Sequence, residues 1–415
     1  MNTQNSEHLY QKAESTEGSV RVAHIYNFLH PRRGGPPQVI AQLARAQLAT
    51  GYRVRLIAED IDDPEVRRAL REALGEGVGG ALPQGLSLQR LESRRGMLLS
   101  RLPLPCAHAE LDALLEGVHI AHLHSIWPPQ CAALSARCRG LGIPYVLTLH
   151  GHLRPEALAI KPLKKRLALL TLGYGAMLRG AARVQALNEG EREDAARWGV
   201  RAPIRVIPNG APIEALSAPV ARAVIEARLP GLGDAPFVLF LSRIHPPKGT
   251  LDLARAFAAL APRYPSLRLV VAGVDEGGGQ GQMVEVLREA GLLERAHFPG
   301  FLAGDDKTAA LQHAAAFSLP SYHEGFSVAA LEALAAGAPT ALARGCRFPE
   351  AAEAGVSWEH ANGAEGLTRA LDEILSRPEE ARARGARARA WVASRYTWGE
   401  VSARLSALYH EAMGG

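Results

Sequence analysis

The strongest constraint in this chain is a strand that has to become a helix within the short stretch SYHEGFS. The apolar run AAFSLP, 315 to 320, has the composition of a buried strand. Glu324-Gly325-Phe326-Ser327 turn the chain, VAALEALAA continues as a helix, and Gly337 with Pro339 ends it. A strand that feeds a helix start through a glycine-containing turn exposes backbone N–H groups at the positive end of a helix dipole, which suits a phosphate. Two carboxylates flank the turn: Glu324 precedes the helix, and Glu332 lies about two helical turns further on. Amides for a diphosphate and acceptors for hydroxyls together suit a nucleotide sugar. A plainer reading stands beside this one. Glutamate at a helix start often serves the dipole, Ser327 is a natural N-cap, and a glutamate inside a helix is usually solvated.

The rest of the chain repeats the strand–helix alternation, which implies parallel sheets covered by helices. VRVAHIYNF (20 to 28) reads as a buried strand, followed by a Gly34-Gly35 loop. A helix with Val39, Ile40, Leu43, Ala44, Gln47 and Leu48 on one stripe then leads into the strand YRVRLIA. Residues 62 to 110 are less regular, with one strand at LSLQRLE. VHIAHLHSIWPP and PYVLTLHGH supply two more strands, carrying His122, His124, His150 and His152 near their C-terminal ends. Ligand crevices of open α/β sheets form there. His122 and His124 share a strand face, but no Cys, Asp or Glu is grouped with them at ligand spacing, so cleft-wall or core histidines are the favoured reading over a metal site.

In the second half, FVLFLS leads into HPPKG, where Arg243 and Lys248 bracket a Pro-Pro loop at a helix start. A planar guanidinium and a compact ammonium there could clamp a diphosphate, although loop cations are ordinarily just solvated. LRLVVAG, RAHFPGFL and PTALA are further strands, and YTWGEVSARLSALYHEA is a terminal helix.

EGFSVAALEALAAGAP, with its Glu, seven residues and second Glu, resembles the signature of the GT-B retaining glycosyltransferases of family 4, the glycosyl transferases group 1. Gly34-Gly35, the H-x-H of His122 and His124, TLHG, IRVIPNG and the Arg243…Lys248 pair extend the resemblance over residues 20 to 410; His119 stands where many members carry Asp. The resemblance implies an α/β GT-B fold, two Rossmann-like βαβ domains facing each other across a cleft, with the C-terminal helix crossing back to the first. The implied limits are a disordered tail at 1–19, an acceptor-side domain at 20–208, a nucleotide-sugar domain at 209–395 and a returning helix from about 396. It implies that Gly34 and Gly35 lie near the donor phosphate and acceptor, and that His150 faces the transferring sugar. Arg243 and Lys248 would stabilise the leaving diphosphate, assisted by amides of the Gly325-Phe326-Ser327 turn. Glu324 would hold sugar hydroxyls and Glu332 the ribose. No residue stands out as a covalent nucleophile, so a front-face mechanism is expected. No DxD-type metal motif is recognisable among these site residues, so neither metal nor cofactor is expected beyond the donor itself. A glycan or lipid-linked acceptor, in surface polysaccharide or glycolipid synthesis, follows from the family. The alternative is a GT-B nucleotide-sugar epimerase or hydrolase, which would need no acceptor. A nicotinamide oxidoreductase is disfavoured because no GxGxxG follows one of these strands into a helix, and GVDEGGGQGQ misses the spacing. A silent sugar-nucleotide-binding protein is disfavoured by the joint presence of Arg243, Lys248, Glu324 and Glu332.

Composition narrows the partners. A net charge of +5 fits a phosphorylated ligand or an anionic surface but is far from a nucleic-acid signature. Four cysteines without CxxC pairing favour a reduced, cytoplasmic compartment. The stretch from 153 to 183 is basic and amphipathic, with Lys161, Lys164, Lys165 and Arg166 beside leucines. It reads either as a solvated surface helix or as a peripheral contact with an anionic membrane face.

Overall fold

A computed structural model describes residues 19–75, 81–92, 108–159 and 162–414. Residues 1–18 of the tail expected at 1–19, and Cys106, lie outside the described residues. Seven strands form the first sheet: β1 (Arg21–Ile25), β2 (Arg53–Ala58), β3 (Leu86–Arg90), β4 (Ile120–His124), β5 (Tyr145–Thr148), β6 (Arg183–Ala186) and β7 (Ile204–Val206). Six form the second: β8 (Phe237–Leu241), β9 (Arg268–Ala272), β10 (Ala296–Gly300), β11 (Ala316–Leu319), β12 (Thr340–Ala343) and β13 (Trp358–His360). Their spatial orders are β3-β2-β1-β4-β5-β6-β7 and β10-β9-β8-β11-β12-β13. Every pairing is parallel.

The near-continuous apolar strands explain this architecture. A parallel sheet is covered on both faces, so strands such as FVLFL and RLVVA bury nearly every side chain. The order of each sheet reverses direction beside its first strand, between β1 and β4 and between β8 and β11. A crevice opens at such a switch point, outside the carboxyl ends of the strands.

Phe237, Phe240, Phe257 and Phe317 centre the core of the second half, which already includes Ala211 and Leu216. The final helix, Trp398–Met413, inserts Val401, Leu405, Leu408, Tyr409 and Ala412 into a core built by β1, β2 and the helix Gly35–Ala49. The chain thus leaves the second half and closes on the first. Strand β5 stops at Thr148, two residues before His150, because His150 (φ 48°) and Gly151 (φ 75°) take left-handed backbone. His150 therefore sits in a turn above the sheet. His119, in the place of the family's usual Asp, accepts a hydrogen bond from the Arg21 amide on Nδ1 at 2.9 Å, a task a carboxylate would also perform.

Candidate active site

The signature stretch folds into the turn and helix that its residues dictate. Ser327 caps the helix Val328–Ala336 by accepting from the Ala330 amide at 3.1 Å, and Gly337 ends it in the left-handed conformation. The first-turn amides of any helix have no carbonyl partner within it. Here they lie on a cavity of about 590 Å³ between the two sheets, lined by Gly325, Phe326, Ser327, Val328 and Ala329. Gly34, Gly35, His150, Arg243, Lys248, Glu324 and Glu332 line the same cavity. Every residue proposed for the site from sequence is thus brought to one place.

The pairing inside the site is what the sequence did not show. Lys248 Nζ donates to Glu324 Oε1 at 2.7 Å, and Ser321 Oγ donates to the same oxygen at 2.8 Å. Lys307, on the helix Gly304–His313, donates to Glu332 Oε1 at 2.7 Å. Both glutamates are buried, at 7% and 5% exposure. That disposes of the solvated reading: a buried carboxylate needs a cation or several donors. Arg243, half exposed, reaches Glu276 at 2.7 Å. Arg33, Arg154, Arg243, Lys248 and Lys307 surround Glu324 and Glu332 on the cavity wall, a cation excess that favours a diphosphate. Lys307 and Glu276 escaped the sequence reading because no local pattern links them to their partners, 25 and 33 positions away.

The first half contributes a rigid wall. Gly34 (φ 99°) turns the chain into its helix, and a Cβ on Gly35 would come within 3.2 Å of Val328. The glycine loop therefore abuts the signature helix directly. Asn188 Nδ2 donates to the Gly325 carbonyl at 2.6 Å, and Arg347 pairs with the buried Asp194 at 2.5 Å, so the halves are fastened beside the cleft. Beneath the His150 turn, the Glu191 carboxylate accepts from the Gly151 amide and, at 2.6 Å, from the Leu187 amide. Burial holds the His150 imidazole down to about 3 and so neutral. His122 and His124 lie in the core of the first sheet, fully buried, as the favoured reading had them.

The basic stretch is only partly as expected. Lys161 lies outside the described residues, as do the side chains of Lys164 and Arg166. Lys165 is a correction to the surface cluster: it donates to the Ala157 carbonyl and sits 5.3 Å from the Trp127 ring centroid, facing inward. Leu163 and Leu167, one turn apart on the helix Pro162–Thr171, are exposed at 80% and 58%. Among the described residues, no helix is long and apolar enough to cross a membrane.

Two parallel α/β sheets facing a cation-rich cleft, with paired glutamates around a helix start, define a GT-B glycosyltransferase. Residues 224–391 match the model of the glycosyl transferases group 1 family, and residues 34–210 match that of a glycosyl transferase 4-like domain. The chain is 29% identical over 401 residues to the GDP-mannose:cellobiosyl-diphosphopolyprenol alpha-mannosyltransferase of Xanthomonas campestris, covering 95% of this chain and 98% of that protein. It is also 29% identical over 225 residues to the GDP-mannose-dependent alpha-(1-6)-phosphatidylinositol monomannoside mannosyltransferase of Mycolicibacterium smegmatis, covering 52% and 58% of the two chains. Sucrose-phosphate synthase from Thermosynechococcus elongatus shares the fold, with a TM-score of 0.75 at 21% identity over 95% of this chain and 99% of that one. So does Anabaena Alr3699/HepE, solved with UDP and glucose, with a TM-score of 0.75 at 17% identity over 94% and 99%.

Proposed function

We propose that this glycosyltransferase moves a hexose, with retention of anomeric configuration and without a metal, from a nucleotide-diphosphate sugar to a lipid-linked or glycan acceptor. The observation that carries the reading is the convergence of the Lys248–Glu324 and Lys307–Glu332 pairs on either side of one helix start inside the cleft. Lys248 and Arg243 stabilise charge as the diphosphate departs, and the first-turn amides assist. Glu324 holds hydroxyls of the sugar, and Glu332 those of the ribose. The leaving phosphate oxygen takes the proton of the acceptor hydroxyl, which attacks from the same face, so no covalent protein intermediate is needed. The place of such a step is surface polysaccharide or glycolipid assembly on the cytoplasmic side of a membrane.

GDP-mannose with a polyprenyl-diphosphate-linked saccharide is the first pair to test, because the two mannosyltransferases above are named for that donor. Product NMR should show an α-linked sugar made only when acceptor is present. Free sugar or an epimerised nucleotide formed at the same rate without acceptor would favour the hydrolase or epimerase reading instead. The two glutamates should separate under the same assay. Glu332→Gln should weaken both free nucleotide and whole donor by calorimetry, whereas Glu324→Gln should spare free nucleotide and impair turnover. Equal loss of nucleotide affinity in both would remove Glu324 from the sugar.

Peripheral contact with an anionic membrane belongs to this proposal, supported by the exposed Leu163 and Leu167. Leu163→Ser with Leu167→Ser should release the protein from anionic vesicles in sedimentation. Failure of the unaltered protein to sediment with them at low salt would end the idea.

A further inference from the structure

The first sheet contains a polar seam that its apolar strands would not lead one to expect. His24 on β1, His122 and His124 on β4, Thr148 on β5 and Gln185 on β6 are all buried. Gln47 and Tyr409 reach them from the helix Gly35–Ala49 and from the terminal helix. These groups form one continuous hydrogen-bonded line. Gln185 Nε2 donates to the Ile207 carbonyl at 2.8 Å, and Thr148 Oγ1 donates to Gln185 Oε1 at 2.6 Å. Thr148 Oγ1 lies 2.6 Å from His122 Nε2, whose Nδ1 lies 2.6 Å from the Tyr409 hydroxyl. Gln47 Nε2 donates to that hydroxyl at 3.3 Å, and Gln47 Oε1 lies 2.7 Å from His24 Nε2. His24 Nδ1 lies 2.9 Å from His124 Nε2, and His124 Nδ1 lies 3.3 Å from His150 Nε2.

Resting on the transferase reading above, we propose that this line is one-directional and fixes His150 with its proton on Nε2. The bare Nδ1 then faces the cleft as an acceptor for a hydroxyl of the donor sugar. The direction follows from the Ile207 carbonyl, which can only accept. Gln185 must therefore give it the amide N–H, leaving Oε1 to accept from Thr148. The Thr148 proton is then spent, so the hydroxyl accepts from His122 Nε2–H, and the bare His122 Nδ1 accepts from Tyr409. Tyr409 accepts from Gln47, Gln47 Oε1 from His24 Nε2–H, His24 Nδ1 from His124 Nε2–H, and His124 Nδ1 from His150 Nε2–H. Reversing any link leaves two acceptors or two donors facing each other in a buried core, where an unsatisfied group is costly. Burial also holds every member neutral: His24 is lowered to about 4, and His122 and His124 fall well below their ordinary value. No described residue hydrogen-bonds His150 Nδ1, and His150 lines the cavity. His24, His122 and His124 also have the inventory of a metal site, with ligand atoms within 4.8 Å of one another. Yet both ring nitrogens of each already have a protein hydrogen-bond partner. His124, His24, Gln47, Tyr409, His122, Thr148 and Gln185 are therefore positioning residues acting through His150.

The test is nitrogen NMR of 15N-histidine-labelled protein at neutral pH, which distinguishes a protonated ring nitrogen from a bare one. His150→Asn identifies the signal by its loss. His150 should carry its proton on Nε2 alone. A proton on Nδ1, an averaged pair of tautomers, or stoichiometric zinc on the purified protein would overturn the proposal. Tyr409→Phe and Thr148→Val both cut the line, and in either the His150 signal should become a mixture of tautomers, with kcat about tenfold lower and KM for donor little changed. Unchanged tautomer in both variants would overturn the claim that the line sets it. Donors bearing fluorine in place of one hydroxyl at a time should include one that loses about tenfold in turnover with the unaltered enzyme and not with His150→Asn. Absence of any such position would remove the acceptor role. The NMR arm needs no substrate, so its failure is distinct from failure of the transferase reading.

Discussion

Lys248→Ala and Arg243→Ala are each expected to lower turnover by about two orders of magnitude or more under saturating donor and acceptor. Removing one preorganised donor aimed at developing charge costs roughly 3 to 4 kcal/mol in the transition state. Lys248 is held in place before any ligand arrives: its ammonium is 2.7 Å from Glu324, on a side chain only 13% exposed. No reorganisation is needed when the diphosphate departs, and the surrounding low dielectric strengthens the interaction. Arg243 is more exposed, and its contact with Glu276 competes with a ligand, so its variant should retain more nucleotide affinity than the lysine variant. Lys248→Arg should not restore full activity, because a planar fork replaces a compact ammonium in the Pro246–Lys248 turn. Steady-state kinetics on variants with unchanged circular dichroism decide the matter. A higher KM with normal kcat would show ground-state binding alone, and near-normal kinetics would remove both residues from the chemical step.

Gly249→Ala should cost activity on the scale of Lys248→Ala, although every charged group remains, and it should also destabilise the fold. Gly249 has φ 69°, and an added Cβ would lie 2.2 Å from the Pro320 carbonyl oxygen. Pro320 follows β11 and leads into Ser321 and Glu324, while Gly249 follows Lys248. The Tyr322 amide donates to the Pro247 carbonyl at 2.9 Å, so the two loops are fastened to each other. The new methyl group has to push apart the loops that carry the two ends of the Lys248–Glu324 pair. Left-handed backbone without glycine and the backbone clash together should cost about 3 kcal/mol or more. Urea unfolding followed with kcat measures both effects. An unchanged midpoint together with full turnover would mean that the loops separate freely and that their spacing is not what places the lysine.

The elements of this protein were legible because each depends on local physics. Apolar strands ending in glycine turns, the Ser327 cap and the Gly337 stop determine the signature strand and helix from neighbours only a few residues away. The carboxylates at 324 and 332 were visible for the same reason, since helical spacing is a short-range property. What only the tertiary structure decided is which charges meet. Glu276 joins Arg243 because the adjacent parallel strands β8 and β9 bring the loops that follow them to one sheet edge, and Lys307 joins Glu332 because the helices Gly304–His313 and Val328–Ala336 pack together; no segment records its partner locally. The polar seam shows the same division at greater range. His122 and His124 were evident as a strand face, but other members of the line, His24, Gln47 and Tyr409, come from another strand and two helices, the last of them 287 residues from His122. A hydrogen bond inside a core is satisfied by whatever the packing places beside it. Its direction can therefore be worked out only once the whole line, down to the Ile207 carbonyl, is in view.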